Sequence, residues 1–213
     1  MIERPLEVDY HESGKLVLGM DEAGRGPLCG PLMVAGVIFP IGYQNALLDD
    51  SKKLSEKKRE ALYKQIIEDA LYWKVLVLSE AEIDELNIYR ASQTGMERIA
   101  QEFSDVCDVV LSDAMPLPAF CKNHSEHDFD CPVKGDTKSI SIAAASILAK
   151  VSRDHYMKKL DEMYPQYDLA KNKGYPTAKH LEAIKTHGVQ DFYRRSFSPV
   201  AKVLKQNQQE SLF

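Results

Sequence analysis

Asp21 and Glu22 close an apolar run, Val17-Leu18-Gly19-Met20, and lead straight into Ala23-Gly24-Arg25-Gly26-Pro27. Adjacent carboxylates repel, and burying them is costly unless a cation or strong donors hold them. The glycines flanking Arg25 let backbone N–H groups come close to a ligand. Acids for a metal, with a cation and bare amides for a phosphate or sugar, point to phosphodiester chemistry. Two further acids hold comparable positions. Asp113 ends the apolar stretch Val109-Val110-Leu111-Ser112, and Asp136 lies between a short extended segment and a helix start. Acids gathered at strand ends could hold two divalent ions about 3.5–4 Å apart, one activating water and one stabilising the leaving oxygen. Hard carboxylate ligands favour Mg²⁺ or Mn²⁺. Strand alternation aims neighbouring side chains at opposite faces. Either the strand therefore ends between Asp21 and Glu22, or Glu22 offers its carbonyl as well as, or instead of, its carboxylate.

The elements that must position these acids follow from periodicity. Residues 16–21 and 30–39 read as strands joined by a tight Gly-Pro turn, the second antiparallel to the first; 73–78 reads as a third. Ser55 is a good N-cap for a helix over about 56–71. Helical patterns cover about 80–86 and 88–103, and 108–112 is a short buried-type strand. Residues 114–131 read as a loop, Val133 as the start of a last strand, and Thr137 or Ser139 as the cap of a long helix to about Lys159. Thr177 caps a helix over 178–187. Strands first, then strands alternating with helices, give an α/β layer with a mixed sheet.

The 213 residues suit one large domain, and 44% hydrophobic content suffices for a core. No secretion signal and no apolar run of about 20 residues is readable, so neither export nor a membrane span is expected. Four cysteines make no disulfide scaffold, and a reduced cytoplasmic protein is expected. The net charge of −5 conceals a split: residues 134–205 carry +7 and residues 1–133 carry −11. A metal site facing a phosphate-binding surface would give that asymmetry. Lys52, Lys53, Lys134, Lys138, Arg194 and Arg195 are candidate phosphate contacts that position a duplex without reading its sequence.

The blocks Asp21–Pro27 with Gly30-Pro31, Asp50-Ser51-Lys52-Lys53-Leu54, Lys134–Ser139, Ile142–Asp154 and Gly174-Tyr175-Pro176-Thr177 occur in an order that closely resembles bacterial ribonuclease HII. The resemblance spans residues 16 to 197. It implies a ribonuclease H-like fold: a mixed five-stranded sheet flanked by helices, with a C-terminal helical extension. Residues 16–204 would form the catalytic domain, after an N-terminal segment (1–15) and before a flexible tail (205–213). It implies endonucleolytic hydrolysis of RNA in RNA–DNA hybrids and cleavage 5′ of single ribonucleotides in duplex DNA, leaving a 3′-hydroxyl and a 5′-phosphate. The associated roles are ribonucleotide removal and primer processing, performed by a monomer. Asp21, Glu22, Asp113 and Asp136 become the catalytic and metal-holding acids, with Mn²⁺ or Mg²⁺ as cofactor. Gly24, Arg25 and Gly26 would grip the ribose 2′-OH and neighbouring phosphate, and Tyr175 would stack beneath the next sugar. Asp108 begins its strand and Asp154 lies inside a helix, so neither is assigned to the acids.

Three features stand apart. Ser112-Asp113-Ala114-Met115 departs from the family's usual glycine after the third acid, which bears on local backbone freedom. Cys121, His124, His127 and Cys131 present four zinc-type ligands, although at no zinc-finger spacing, so a surface loop is the competing expectation. The end of the chain, with Gln209, Ser211, Leu212 and Phe213, resembles a bacterial sliding-clamp-binding pentapeptide. The competing functions are a ribonuclease HIII-like hybrid nuclease and a non-catalytic nucleic-acid-binding module.

Overall fold

The computed structural model describes residues 2, 4–48 and 54–210, without the side chains of residues 207, 208 and 210. Lys52 and Lys53 therefore lie outside the described residues, as do Ser211, Leu212 and Phe213.

Strand β1 (Val17–Ala23) sits at the middle of a five-stranded sheet. It pairs antiparallel with β2 (Leu32–Ile38), which pairs antiparallel with β3 (Tyr72–Leu78). On its other edge β1 runs parallel to β4 (Val109–Ser112), followed by a parallel edge strand, β5 (Asp128–Asp130). Every residue of β2 and the first five of β1 are buried, as expected of strands covered on both faces. Leu18, Met20 and Val34 face α4 (Ile88–Glu102) through Met96 and Ile99. Ala35 and Val37 face α2 (Glu56–Asp69) and α6 (Ile140–Met163). Ser139 caps α6 by accepting from the Ile142 N–H at 3.1 Å. Residues 140–149 of α6 are all buried, rich in alanine, and lie directly over β1. Gly19 makes that approach possible, because a Cβ there would strike the backbone of Ser141 and Ile142.

The rest of the chain packs around this layer. Helices α1 (Glu7–Glu12) and α3 (Glu80–Leu86) flank it. The C-terminal end of α6, α7 (Leu169–Asn172), α8 (Ala178–His187) and α9 (Ser198–Glu210) surround a separate core built on Met157, Tyr167, Ile184, Tyr193 and Val200. Leu28 and Cys29 of the β1–β2 loop plug into that core.

Four expectations change. The segment 114–131 is not loop throughout: it contains α5 (Pro118–Asn123) and β5. Val133 starts no strand; the last strand is Asp128–Asp130, whose Asp-Phe-Asp pattern has too few apolar residues to announce it. Helix α9 continues to Glu210, through residues expected to belong to a flexible tail. β1 does not end between Asp21 and Glu22, since pairing with β2 persists to Ala23 opposite Met33. No helix among the described residues is long and apolar enough to cross a membrane.

Candidate active site

β4 stops at Ser112, opposite Met20, so the last residues of β1 project past it. Asp113 turns back across this gap, and its N–H donates to the Met20 carbonyl at 3.1 Å. Carbonyls alternate sides along a strand, so the Glu22 carbonyl, two residues on from Met20, faces the same gap. Asp21 projects toward α6, accepts a hydrogen bond from Ser146, and also accepts from the Glu22 N–H at 2.7 Å. At 7% exposure its carboxyl is held well above the ordinary carboxylate range, first by burial and then by the charges of Glu22 and Asp113. That repulsion is what a divalent cation would relieve. The Glu22 Oε1 lies 3.3 Å from Arg25 Nη1. Asp113 Oδ1 accepts from the Gly135 N–H at 2.7 Å, which ties it to the short 3-10 turn Gly135–Thr137 that carries buried Asp136.

These acids open onto a cleft of about 290 Å³, lined by Asp21, Glu22 and Asp113, by Gly24, Arg25 and Gly26, and by Tyr175. Asp136 does not line it; the turn places it one residue beyond the donor to Asp113. Lys134 and Lys138 are exposed on either side of that turn. Tyr175 is 48% exposed and rests against Gly26, where a Cβ would come within 3.1 Å of its ring. Buried His180 donates from Nδ1 to the Tyr175 carbonyl at 2.9 Å and accepts at Nε2 from the Tyr193 hydroxyl at 2.8 Å.

The loop between β1 and β2 is held from below by two buried guanidinium groups. Arg153 donates to the carbonyls of Cys29, Pro31 and Lys173 at 3.0–3.1 Å. Arg194, with no exposed surface, donates to Gly30, Pro27 and Arg25 at 2.8–3.2 Å. Gly24, at φ +105°, leaves room for Arg153, whose side chain a Cβ would hit. Burial pushes both groups down, Arg194 to about 10 with Arg153 contributing. The expectation that Arg194 contacts phosphate is thus overturned: its guanidinium makes four hydrogen bonds to backbone carbonyls, out of reach of solvent. Arg195 keeps an exposed side chain, paired with Asp191 at 3.1 Å.

Other expectations resolve locally. Asp154 forms an ion pair with Lys150 at 2.7 Å, and Asp108 accepts from the Leu16 N–H at 2.8 Å. The four-ligand zinc set does not assemble. Among the described residues, His124 and His127 group with Glu126, without Cys121 or Cys131. Sequence reasoning missed Ser146, Lys150 and Arg153 as cleft residues. Their spacing of four and three along α6 puts them on one face, and that was the available signal.

Residues 18–200 match the family model for ribonuclease HII. The ribonuclease HII of Geobacillus sp. (strain WCH70) is 46% identical over 196 residues, covering 92% of this chain and 69% of the relative. The ribonuclease H2 from Pyrococcus horikoshii OT3 superposes with a TM-score of 0.71 at 25% identity, covering 91% of this chain and 99% of its own. A chain of the PCNA:RNase HII complex from Archaeoglobus fulgidus reaches 0.72 at 25% identity, covering 86% and 95%. The likeness runs through the elements that build the cleft, from β1 to the start of α9, and the chain belongs to the ribonuclease HII family of ribonuclease H enzymes.

Proposed function

We propose that this chain is an endonuclease that hydrolyses the RNA strand of RNA–DNA hybrids. We propose further that it cuts 5′ of single ribonucleotides in duplex DNA, leaving a 3′-hydroxyl and a 5′-phosphate. The observation that carries this reading is the meeting of Asp21, Glu22 and Asp113 in one cleft with Gly24, Arg25, Gly26 and Tyr175.

The donor set, all oxygen and mutually repulsive, fits Mn²⁺ or Mg²⁺. Asp21, Glu22 and Asp113 would hold the ions, with Asp136 completing the charge from the adjoining turn. When bound, such ions supply an activated water and charge stabilisation for the attacking and leaving oxygens. The chain's own residues do the positioning. Ser146 orients Asp21, the Gly135 amide orients Asp113, and Arg25 steadies Glu22. Glu22 serves through both its carboxylate and its gap-facing carbonyl. The Gly24–Gly26 backbone and the Arg25 fork address the 2′-OH, the group that separates RNA from DNA at a given position, and its phosphate. Tyr175 lies where a sugar could stack, and Lys134 and Lys138 meet phosphates along the strand.

The test uses a duplex with one ribonucleotide beside an all-DNA control, in Mn²⁺ and in Mg²⁺. Cleavage 5′ of the ribonucleotide by the unaltered chain, and its loss in Asp113→Asn, are expected. An unaltered chain that leaves the first duplex whole, or cuts both alike, overturns the proposal.

The related Archaeoglobus protein is seen with PCNA. We propose that the end of this chain engages a sliding clamp through Gln209, Ser211, Leu212 and Phe213, with Gln209 exposed at the end of α9. Deleting residues 209–213 should abolish clamp binding and leave cleavage rates intact; unchanged clamp affinity refutes the assignment.

A further inference from the structure

The α5–β5 connection brings together three side chains that the nuclease chemistry does not use. One nitrogen each from His124 and His127 and a carboxylate oxygen of Glu126 all lie within 4.8 Å of one another. We infer that His124, Glu126 and His127 form a transition-metal site of zinc type, separate from the carboxylate cleft and joining the α5–β5 connection to the end of α4.

His127 is the decisive residue. Its side chain is 8% exposed, and its Nε2 lies 2.9 Å from the Ser104 carbonyl. A carbonyl only accepts, so Nε2 carries the proton and Nδ1 of the neutral ring presents a lone pair. That Nδ1 is buried, has no hydrogen-bond partner, and faces Glu126 Oε1 at 3.3 Å. His124 lies beside it: Nε2 is 2.8 Å from Gln101 Oε1, and Nδ1 contacts the same Glu126 oxygen at 3.3 Å. The His127 lone pair thus faces an anionic oxygen with no proton between them, a repulsion that a cation shared with His124 would relieve.

The two nitrogen-to-oxygen distances of 3.3 Å suit such a cation. Tetrahedral zinc, with bonds of about 2.0–2.1 Å, spaces neighbouring ligand atoms about 3.3 Å apart. Outer partners that fix each ring through its other nitrogen are the usual support of a histidine metal site, and here the Gln101 side chain and the Ser104 carbonyl supply them. Phe120 holds both rings, stacked on His124 at 4.7 Å and edge-on to His127 at 5.5 Å, with the two imidazoles at 86° to each other. Two imidazoles and one carboxylate select Zn²⁺, Co²⁺ or Ni²⁺ over Mg²⁺, and three protein ligands leave a position for water. The competing arrangement is a protonated imidazole paired with Glu126, which binds no metal.

The test is calorimetric titration of the metal-free full-length chain with Zn²⁺ in excess Mg²⁺, which occupies the carboxylate cleft, with absorption of the Co²⁺ form as a second readout. One zinc should bind to the unaltered chain and to Asp113→Asn. Affinity should fall at least tenfold in Glu126→Gln and His127→Asn. Glu126 is largely exposed, so Glu126→Gln should melt with the unaltered chain in the absence of metal but gain no stability from zinc. Equal zinc binding in all four proteins, or binding lost only in Asp113→Asn, refutes the site.

Discussion

Ala114 adopts φ +51°, the left-handed region, directly after Asp113. An L-residue there sets Cβ against the following carbonyl at a cost of about 1–2 kcal/mol. The residue is exposed, so removing its methyl group leaves no cavity. Ala114→Gly removes that strain and adds back about 0.5–1 kcal/mol of unfolded-chain entropy. The net gain is about 0–1.5 kcal/mol, which for a chain of this length raises the melting temperature by up to about 6 °C. Calorimetry and urea titration at one pH read it directly. The same backbone path should persist, since the residue's N–H to the Pro132 carbonyl and the Gly135 contact to Asp113 involve no Ala114 side-chain atom. Ribonucleotide cleavage should therefore stay within about twofold. A melting temperature below that of the unaltered chain would show that Ala114 carries less strain than its φ implies and refute the reasoning.

Replacing Arg194 by Met leaves the carbonyls of Gly30, Pro27 and Arg25 without their charged donor, and should cost about 3 kcal/mol in urea denaturation. Tyr175→Ala should weaken binding of a hybrid duplex by about 1–3 kcal/mol in fluorescence titration, and Tyr175→Phe should restore it, with neither change moving the melting temperature much. His180 is pushed below its ordinary pKa by burial, so the unfolded chain takes up its proton first. Its share of stability is complete above about pH 6.5 and is lost as pH falls through the lower folded value. Melting curves from pH 7.5 to 5 should show that decline, and a shallower one in His180→Gln.

The acids at the end of β1 could be read from the chain because local pattern announces them: an apolar run, two carboxylates, then glycines about Arg25. Their supports could not. Ser146 looks like one more small residue in the alanine-rich α6, and only its position over β1 makes it the donor to Asp21. Arg194 beside Arg195 reads as a basic surface pair, yet one is fully buried and the other exposed. The difference is set by carbonyls more than 160 positions away, which no local pattern encodes. Glu126 escaped for a related reason, since cysteines are the stronger zinc ligands by type and only the fold groups the histidines with Glu126 rather than with Cys121 or Cys131.

The carbonyls between Arg25 and Gly30 lie 164 to 169 residues before the guanidinium that holds them. At ribosomal rates of about 5–20 residues per second, that interval lasts roughly 10–30 s. During it, the acids at the end of β1 are already synthesised, while the loop beside them has neither Arg194 nor the aromatic segment around Tyr193 to set its shape. On the proposed roles, a nascent chain that has reached Asp113 and Asp136 would carry all four acids before the loop meant to select the substrate has its fastener. Placing the fastener near the far end of the sequence makes the shape of the β1–β2 loop one of the last features of the cleft to be fixed.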